Sequence, residues 1–231
     1  MYRYVLFILA LAAMVSCKKE SGQEVSVSVN FENFSGKTDV NRSYNVNTVR
    51  LYLSGFQVVD HSGNAITVKD LMLANSTNST NTFTFKMPSG NFSKFRFHFG
   101  LDPATNHNTD PATFDASHPL SLAQDMYWGM LRYRFIVAEG QIDSSAAKDQ
   151  VPANPFSMHL GTDTLYREIT KDIPSAMTAI AIHIDLKSLM VLDQSTFDIT
   201  NFSNHSSDSE IPKAIQITDN FVHSITISFP N

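Results

Sequence analysis

Residues 25–31 read VSVSVNF, with Val25, Val27, Val29 and Phe31 apolar and Ser26, Ser28 and Asn30 polar between them. Side chains on an extended chain alternate between two faces, so a strict period of two describes a strand with one face buried and one wet. The pattern returns in TVRLYLSGFQVVD, TFTFKM, KFRFHFGL, LRYRFIVAEG, TAIAIHIDL and FVHSITISF. These runs are rich in β-branched and aromatic residues and are punctuated by turn formers such as His61-Ser62-Gly63-Asn64 and Pro88-Ser89-Gly90. Seven or more short strands with little helix between them predict an all-β fold, a single antiparallel β-sandwich.

Helical periodicity is confined to LSLAQDMYW, LKSLMVL and SEIPKAI, each short enough to need packing on a sheet, so these segments are expected to cap the sandwich. Between Asp102 and Pro119 runs a long irregular segment, DPATNHNTDPATFDASHP, and loops of that length in compact domains are often functional. Its oxygen-bearing residues Asp102, Asn106, Asn108 and Asp110 invite comparison with a calcium loop. Pro111 stands where an EF-hand loop has glycine, and the closing glutamate is missing.

The first residues, MYRYVLFILALAAMVSC, place Arg3 before an apolar run too short to span a bilayer and end on the only cysteine, Cys17. The stretch MVSC resembles a bacterial lipobox. The expected organisation is a signal peptide over residues 1–16, a lipid on the Cys17 thiol, a polar tether over 17–24 and one domain over 25–231. The alternative, an ordinary secreted chain, would leave a free thiol in an oxidising compartment. With Arg3 removed, 16 basic side chains face 22 acidic ones, a balance that argues against nucleic acid as a partner. A single cysteine allows no intrachain disulfide.

Eight histidines against one cysteine make imidazole the metal ligand this chain could best supply. His98 sits opposite Phe95, Phe97 and Phe99; His183 opposite Ile180, Ile182 and Ile184; and His159 opposite Phe156, Met158 and Leu160. Taken singly, each is what the wet face of a sheet ordinarily carries. His223 shares parity with Phe221, Ile225 and Ile227 and is expected in the core. His107, His118 and His205 fall in loops. Trp128, the only tryptophan, precedes a strand in which Tyr133, Phe135 and Val137 alternate with Arg132, Arg134 and Ile136; core packing is the ordinary role of such a residue. No G-x-S-x-G elbow, Walker loop, C-x-x-C or H-E-x-x-H is present, so no motif asks for an enzyme.

Four blocks, RLYLSGFQVVDHSGN, FHFGLDPATNHN, HPLSLAQDMYWGMLRYRFIVAEG and FSMHLGTD, resemble successive parts of the MbnP-like proteins, exported proteins related to the copper protein encoded beside methanobactin genes. The resemblance runs from about Val25 to Phe229. It implies a β-sandwich, export, and in the characterised branch a copper site held by imidazoles and a tryptophan that a di-haem peroxidase-like partner oxidises to kynurenine. Carried onto this chain, it points to Trp128 and His159 only; if copper is bound, at least one of His98, His118 and His183 is expected to join His159 as a ligand. The expected function is copper binding or handling by a lipid-anchored envelope protein, without catalysis. The other reading is a metal-free interaction module that uses the loop over residues 102–119.

Overall fold

The alternation at Val25–Phe31 becomes the centre of a four-stranded sheet. In the computed structural model, which describes residues 22–129, 132–174, 177–191 and 203–230, the strands are β1 (Glu24–Glu32), β2 (Ser35–Lys37), β3 (Ser43–Asp60), β4 (Ala65–Asn75), β5 (Thr82–Lys86) and β6 (Phe92–Phe99). Helix α1 (Pro103–Asn108) follows, then β7 (Ile136–Ile142), β8 (Asn154–Leu160), β9 (Arg167–Asp172), β10 (Ala179–Asp185), α2 (Ile211–Ser224) and β11 (Thr226–Ser228). One sheet has the order β11-β10-β1-β5; the other runs β8-β7-β3-β6-β9, with β2 and β4 also paired to β3. Every strand pair is antiparallel except β1 with β10. The fold is the all-β sandwich that period-two patterning predicts. Signal peptide and Cys17 lie outside the described residues, and among those described no helix is long and apolar enough to cross a membrane.

The core forms where the apolar parities of the two sheets meet. Val25, Val27, Val29, Ile180, Ile182 and Ile184 are buried from one side, and Phe56, Phe95, Phe97 and Phe99 from the other. Phe56 crosses between them, its ring 4.9 Å from Phe83 and 5.4 Å from Phe97. Of the side chains expected inside, Tyr133, Phe135 and Ile225 are buried and Ile227 only partly so.

The long strand β3 organises the site-bearing end. Its Tyr44–Leu51 portion pairs with β7 and its Leu53–Asp60 portion with β6. At the junction Tyr52 donates to the Phe135 carbonyl and accepts from the Gly100 N–H, both at 2.9 Å. Gly100 has φ +88°, and a Cβ there would lie 2.3 Å from the Phe135 ring. Only glycine serves where both the left-handed backbone and the close approach are required.

Three expectations need correction. The alternation of Tyr133, Phe135 and Val137 with Arg134 and Ile136 does not separate a buried from a wet face, since all five are buried; regular strand begins only at Ile136. FVHSITISF is not one strand: α2 continues through Ser224, His223 is exposed, and only Thr226–Ser228 is extended. Ala214, Ile217, Thr218 and Phe221 are buried at a spacing of one helix face, and Phe221 packs 5.6 Å from Phe99; a period of 3.6 won over a period of two. The segment after Asp102 is ordered rather than irregular. Asp102 caps α1 by accepting from the Thr105 N–H, Asp110 caps a 3-10 turn at Pro111–Thr113, and Asn106 donates to Asp163 and accepts from the Tyr133 N–H. Of the side-chain oxygens that suggested calcium, those of Asp102, Asn106 and Asp110 are engaged in hydrogen bonds.

Candidate functional site

β8 carries Phe156, Met158 and Leu160 into the core, which turns Ser157 and His159 to its other face. On neighbouring β7, Glu139 is opposite Ser157 and reaches diagonally to His159, with Oε1 2.8 Å from Nε2. That pairing assigns the proton to Nε2 and leaves the lone pair on Nδ1. Along the other edge of β8 lies an irregular segment. The Asn204 N–H donates to the Ser157 carbonyl at 2.9 Å and the His159 N–H to the Asn204 carbonyl at 2.8 Å. Fully buried Asn204 fixes the turn, its side chain donating to the Glu210 carbonyl and accepting from the Ser206 N–H. His205 is thereby set beside His159, ring centres 5.1 Å apart. Its Nε2 is 3.5 Å from Ser157 Oγ, and its Nδ1 is buried without a hydrogen-bond partner.

The third ring comes from a reversal of the chain before β7. The Trp128 N–H donates to the Arg132 carbonyl at 2.7 Å, Tyr127 bridges Tyr133, and Gly129 and Arg132 both have positive φ. The base of this reversal is pressed onto the end of β8: the Phe135 N–H donates to the Leu160 carbonyl. A Cβ on Gly161 would lie 2.3 Å from the Tyr133 carbonyl oxygen and 2.6 Å from Arg134 Cα. The glycine after His159-Leu160 therefore allows two backbones to touch. The Trp128 indole meets both imidazoles edge to face, 5.9 Å from His159 and 5.6 Å from His205. Trp128 is 46 % exposed, so it is a rim residue and not the core residue expected.

Arg134 closes the cluster, its guanidinium 5.7 Å over the indole and bonded to the Asp125 carbonyl oxygen and Oδ1. Burial holds the His159 imidazole below its ordinary pKa, with Arg134 and His205 acting in the same direction and the Glu139 hydrogen bond opposing them. Burial lowers His98 likewise, against Glu168. For a histidine depressed in the folded state, the unfolded chain binds more protons below the ordinary value of 6.5. Stability should therefore fall as pH drops through that value towards the folded-state pKa values. Urea midpoints at several pH values between 7.5 and 5.5 check the sign; a flat or rising trend on acidification contradicts it.

A family model, MbnP, matches residues 19–210. The chain belongs to the MbnP family. The matched stretch takes in Trp128, His159 and His205 and ends just before α2. Among solved structures, MbnP from Methylosinus trichosporium is similar to this chain with a TM-score of 0.54 at 14 % identity, over 80 % of this chain and 81 % of that one; at that identity the likeness shows the fold alone. No curated protein sequence matches.

Within this MbnP domain the remaining expected ligands are dispersed. His118 stacks on Phe114 at 3.9 Å and accepts from the Leu120 N–H through Nδ1. His98 stacks on Tyr166 at 4.7 Å, with Nε2 3.7 Å from Glu168. His183 is on the other sheet, between Glu32 and Ser228 at 2.7 and 3.1 Å. None of the three joins His159; His205 does. Strand parity could not reveal His205, since SNHSSDSE has no period and its place depends on a backbone bridge to β8. Among the described residues no group of three or more His, Cys, Asp or Glu side chains is placed to hold a metal ion, so this centre offers two imidazoles and an indole.

Proposed function

We propose that this MbnP family member binds copper at His159 and His205 against the face formed by Trp128, and that it stores or passes on the metal without catalysis. The observation that carries the reading is the closed triangle of Trp128, His159 and His205, with the buried His205 Nδ1 lacking any partner. Buried polar nitrogens are ordinarily satisfied, so an orphan beside a second imidazole asks for a ligand. Imidazole nitrogen suits copper, and the Glu139 carboxylate behind His159 is the usual support for a metal-ligating histidine. Copper bound here would supply a redox-active Lewis acid.

Two imidazoles are a sparse donor set, and an indole has no free lone pair to add. The family resemblance implies oxidation of the tryptophan to kynurenine, whose arylamine and ketone are donors, and Trp128 is exposed enough for an external di-haem enzyme to reach. Protein made without that enzyme should keep an intact tryptophan. Metal analysis of untagged protein from its native compartment tests the reading, with about one copper per chain expected for a single two-imidazole centre. Substoichiometric copper, unchanged on replacing His159, would leave the metal-free interaction module, for which the groove lined by Asp102, Phe114, His118 and Tyr166 is available.

Export and anchoring belong to the same proposal. Lipid on Cys17 would tether the domain to a bacterial membrane, on its periplasmic side or at the outer surface. Cys17→Ser should move the protein from the membrane fraction into the soluble periplasm. Retention of the variant in membranes would place the anchor elsewhere.

A further inference from the structure

A groove that shares no residue with the three-ring cluster opens where β3 and β4 meet the segment after β6. Asp70 and Leu71 of β4, Asp102 and Thr105 at the start of α1, Phe114 and Tyr166 line a space of about 500 Å³, a size that suits a small molecule. Its rings are braced from behind: Tyr166 lies flat on His98 at 4.7 Å and Phe114 on His118 at 3.9 Å. The charges here are unbalanced. Asp70 and Asp102 line the groove and, among the described residues, no lysine or arginine does. Lys69 turns to the other face of its strand, as the neighbour of Asp70 must, with Nζ 5.9 Å from the Phe83 ring centre. The His118 ring accepts from the Leu120 N–H through Nδ1 and is uncharged in this arrangement. The Asp70 side chain is exposed and has no hydrogen bond or ion pair among the described residues. Asp102 accepts from the Thr105 N–H and hydroxyl at 3.0 and 2.6 Å. Burial works against the Asp102 charge, but these bonds hold its carboxyl below the ordinary pKa. The Ser54 hydroxyl proton is likewise committed, to the Gly100 carbonyl at 2.6 Å. The groove thus sets negatively charged acceptors beside apolar rings.

We propose that this groove binds a small organic cation, an alkylammonium ion with an apolar or aromatic body, with Asp70 as its first counter-ion and Leu71, Phe114 and Tyr166 around the body. An ammonium group brings what the groove lacks, a positive charge and several donors, and Asp70 can accept from it without giving up an existing bond. Asp102 adds to the negative potential while it keeps its place as the cap of α1. Aromatic rings beside the carboxylates attract a cation further through their quadrupole. A neutral ligand would gain nothing from the charge imbalance, and an anion would be repelled by both aspartates. The site does not depend on the copper reading, since none of its residues belongs to that cluster.

Calorimetric titration of untagged protein, stripped of metal, with phenethylamine, phenethyl alcohol and phenylacetate compares similar aromatic bodies carrying three different charges. The amine should bind at least about tenfold more tightly than the alcohol, as expected for a cation near two carboxylates, and phenylacetate more weakly than either. Added salt should weaken the amine and leave the alcohol unchanged. Asp70→Asn, an exposed change that strands no partner, should cost the amine about fivefold. Asp102→Asn should cost it less, and asparagine still caps α1. Amide resonances that shift with the amine should be those of Leu71, Thr105 and Thr109, along the groove. Equal binding of amine and alcohol to wild type, or of the amine to wild type and Asp70→Asn, overturns the charge assignment. Binding of none of the three compounds, or shifts gathered around Trp128 and His159, overturns the groove as the site.

Discussion

Copper binding should be lost in His205→Ala as completely as in His159→Ala, and should survive in His98→Ala, His118→Ala and His183→Ala. Among the described residues the first two side chains are the imidazoles that share the Trp128 cluster, whereas the other three are each engaged elsewhere, on Glu168, Leu120 and Glu32. Glu139→Gln should retain the site but weaken it by about 10–100-fold, the usual cost of removing the carboxylate behind a ligating histidine. His223→Ala should change neither copper nor stability by more than about 0.5 kcal/mol, as an exposed residue. Stoichiometry and affinity after stripping adventitious metal measure all of these. If His118 or His183 proved necessary and His205 dispensable, the three-ring cluster would not be the metal centre.

Phe97→Ala should be the most damaging single truncation in the core, costing about 3–5 kcal/mol of unfolding free energy. Phe97 is fully buried, with Phe56 stacked at 5.4 Å and Phe95 at 5.8 Å, and Phe56 in turn meets Phe83 on the opposite sheet. Removing the ring would leave a void at the junction of the two layers, where backbone hydrogen-bonded in β3 and β6 has little freedom to close in. Urea unfolding read by circular dichroism measures the loss. A cost below about 1 kcal/mol, the scale of surface substitutions, would mean the sheet packs with the opposite face inward.

The sandwich was legible because its strands obey a simple rule: Val25 to Val29, Phe95 to Phe99 and Ile180 to Ile184 each put their odd-numbered or even-numbered members in the core. His159 could be placed by the same rule. FVHSITISF misled because Phe221 and Ile225 are spaced equally well for one face of a strand and for successive turns of a helix, and the stripe beginning at Ala214 decided between them. Trp128 could be singled out as solitary, but its exposure depends on a reversal of the chain whose form no periodicity announces. His205 was out of reach for a deeper reason. Its position follows from the tertiary backbone bridge between Asn204 and β8, and polar loop sequence carries no mark of which strand it will lie along.

That same bridge has a consequence for how the protein avoids its neighbours. β8 ends its sheet, and a bare terminal strand invites pairing with another chain. The backbone around Asn204 occupies part of that edge, taking the Ser157 carbonyl and the His159 N–H out of circulation, while the Ser206 hydroxyl accepts from the Gly161 N–H. A change that detaches this segment, such as loss of the Asn204 side-chain bonds, would therefore bare a strip of unpaired strand as well as withdraw an imidazole. Self-association through β8 and loss of the three-ring cluster should arise together, so that aggregation in such a variant would signal an opened sheet edge in a chain whose core is still intact.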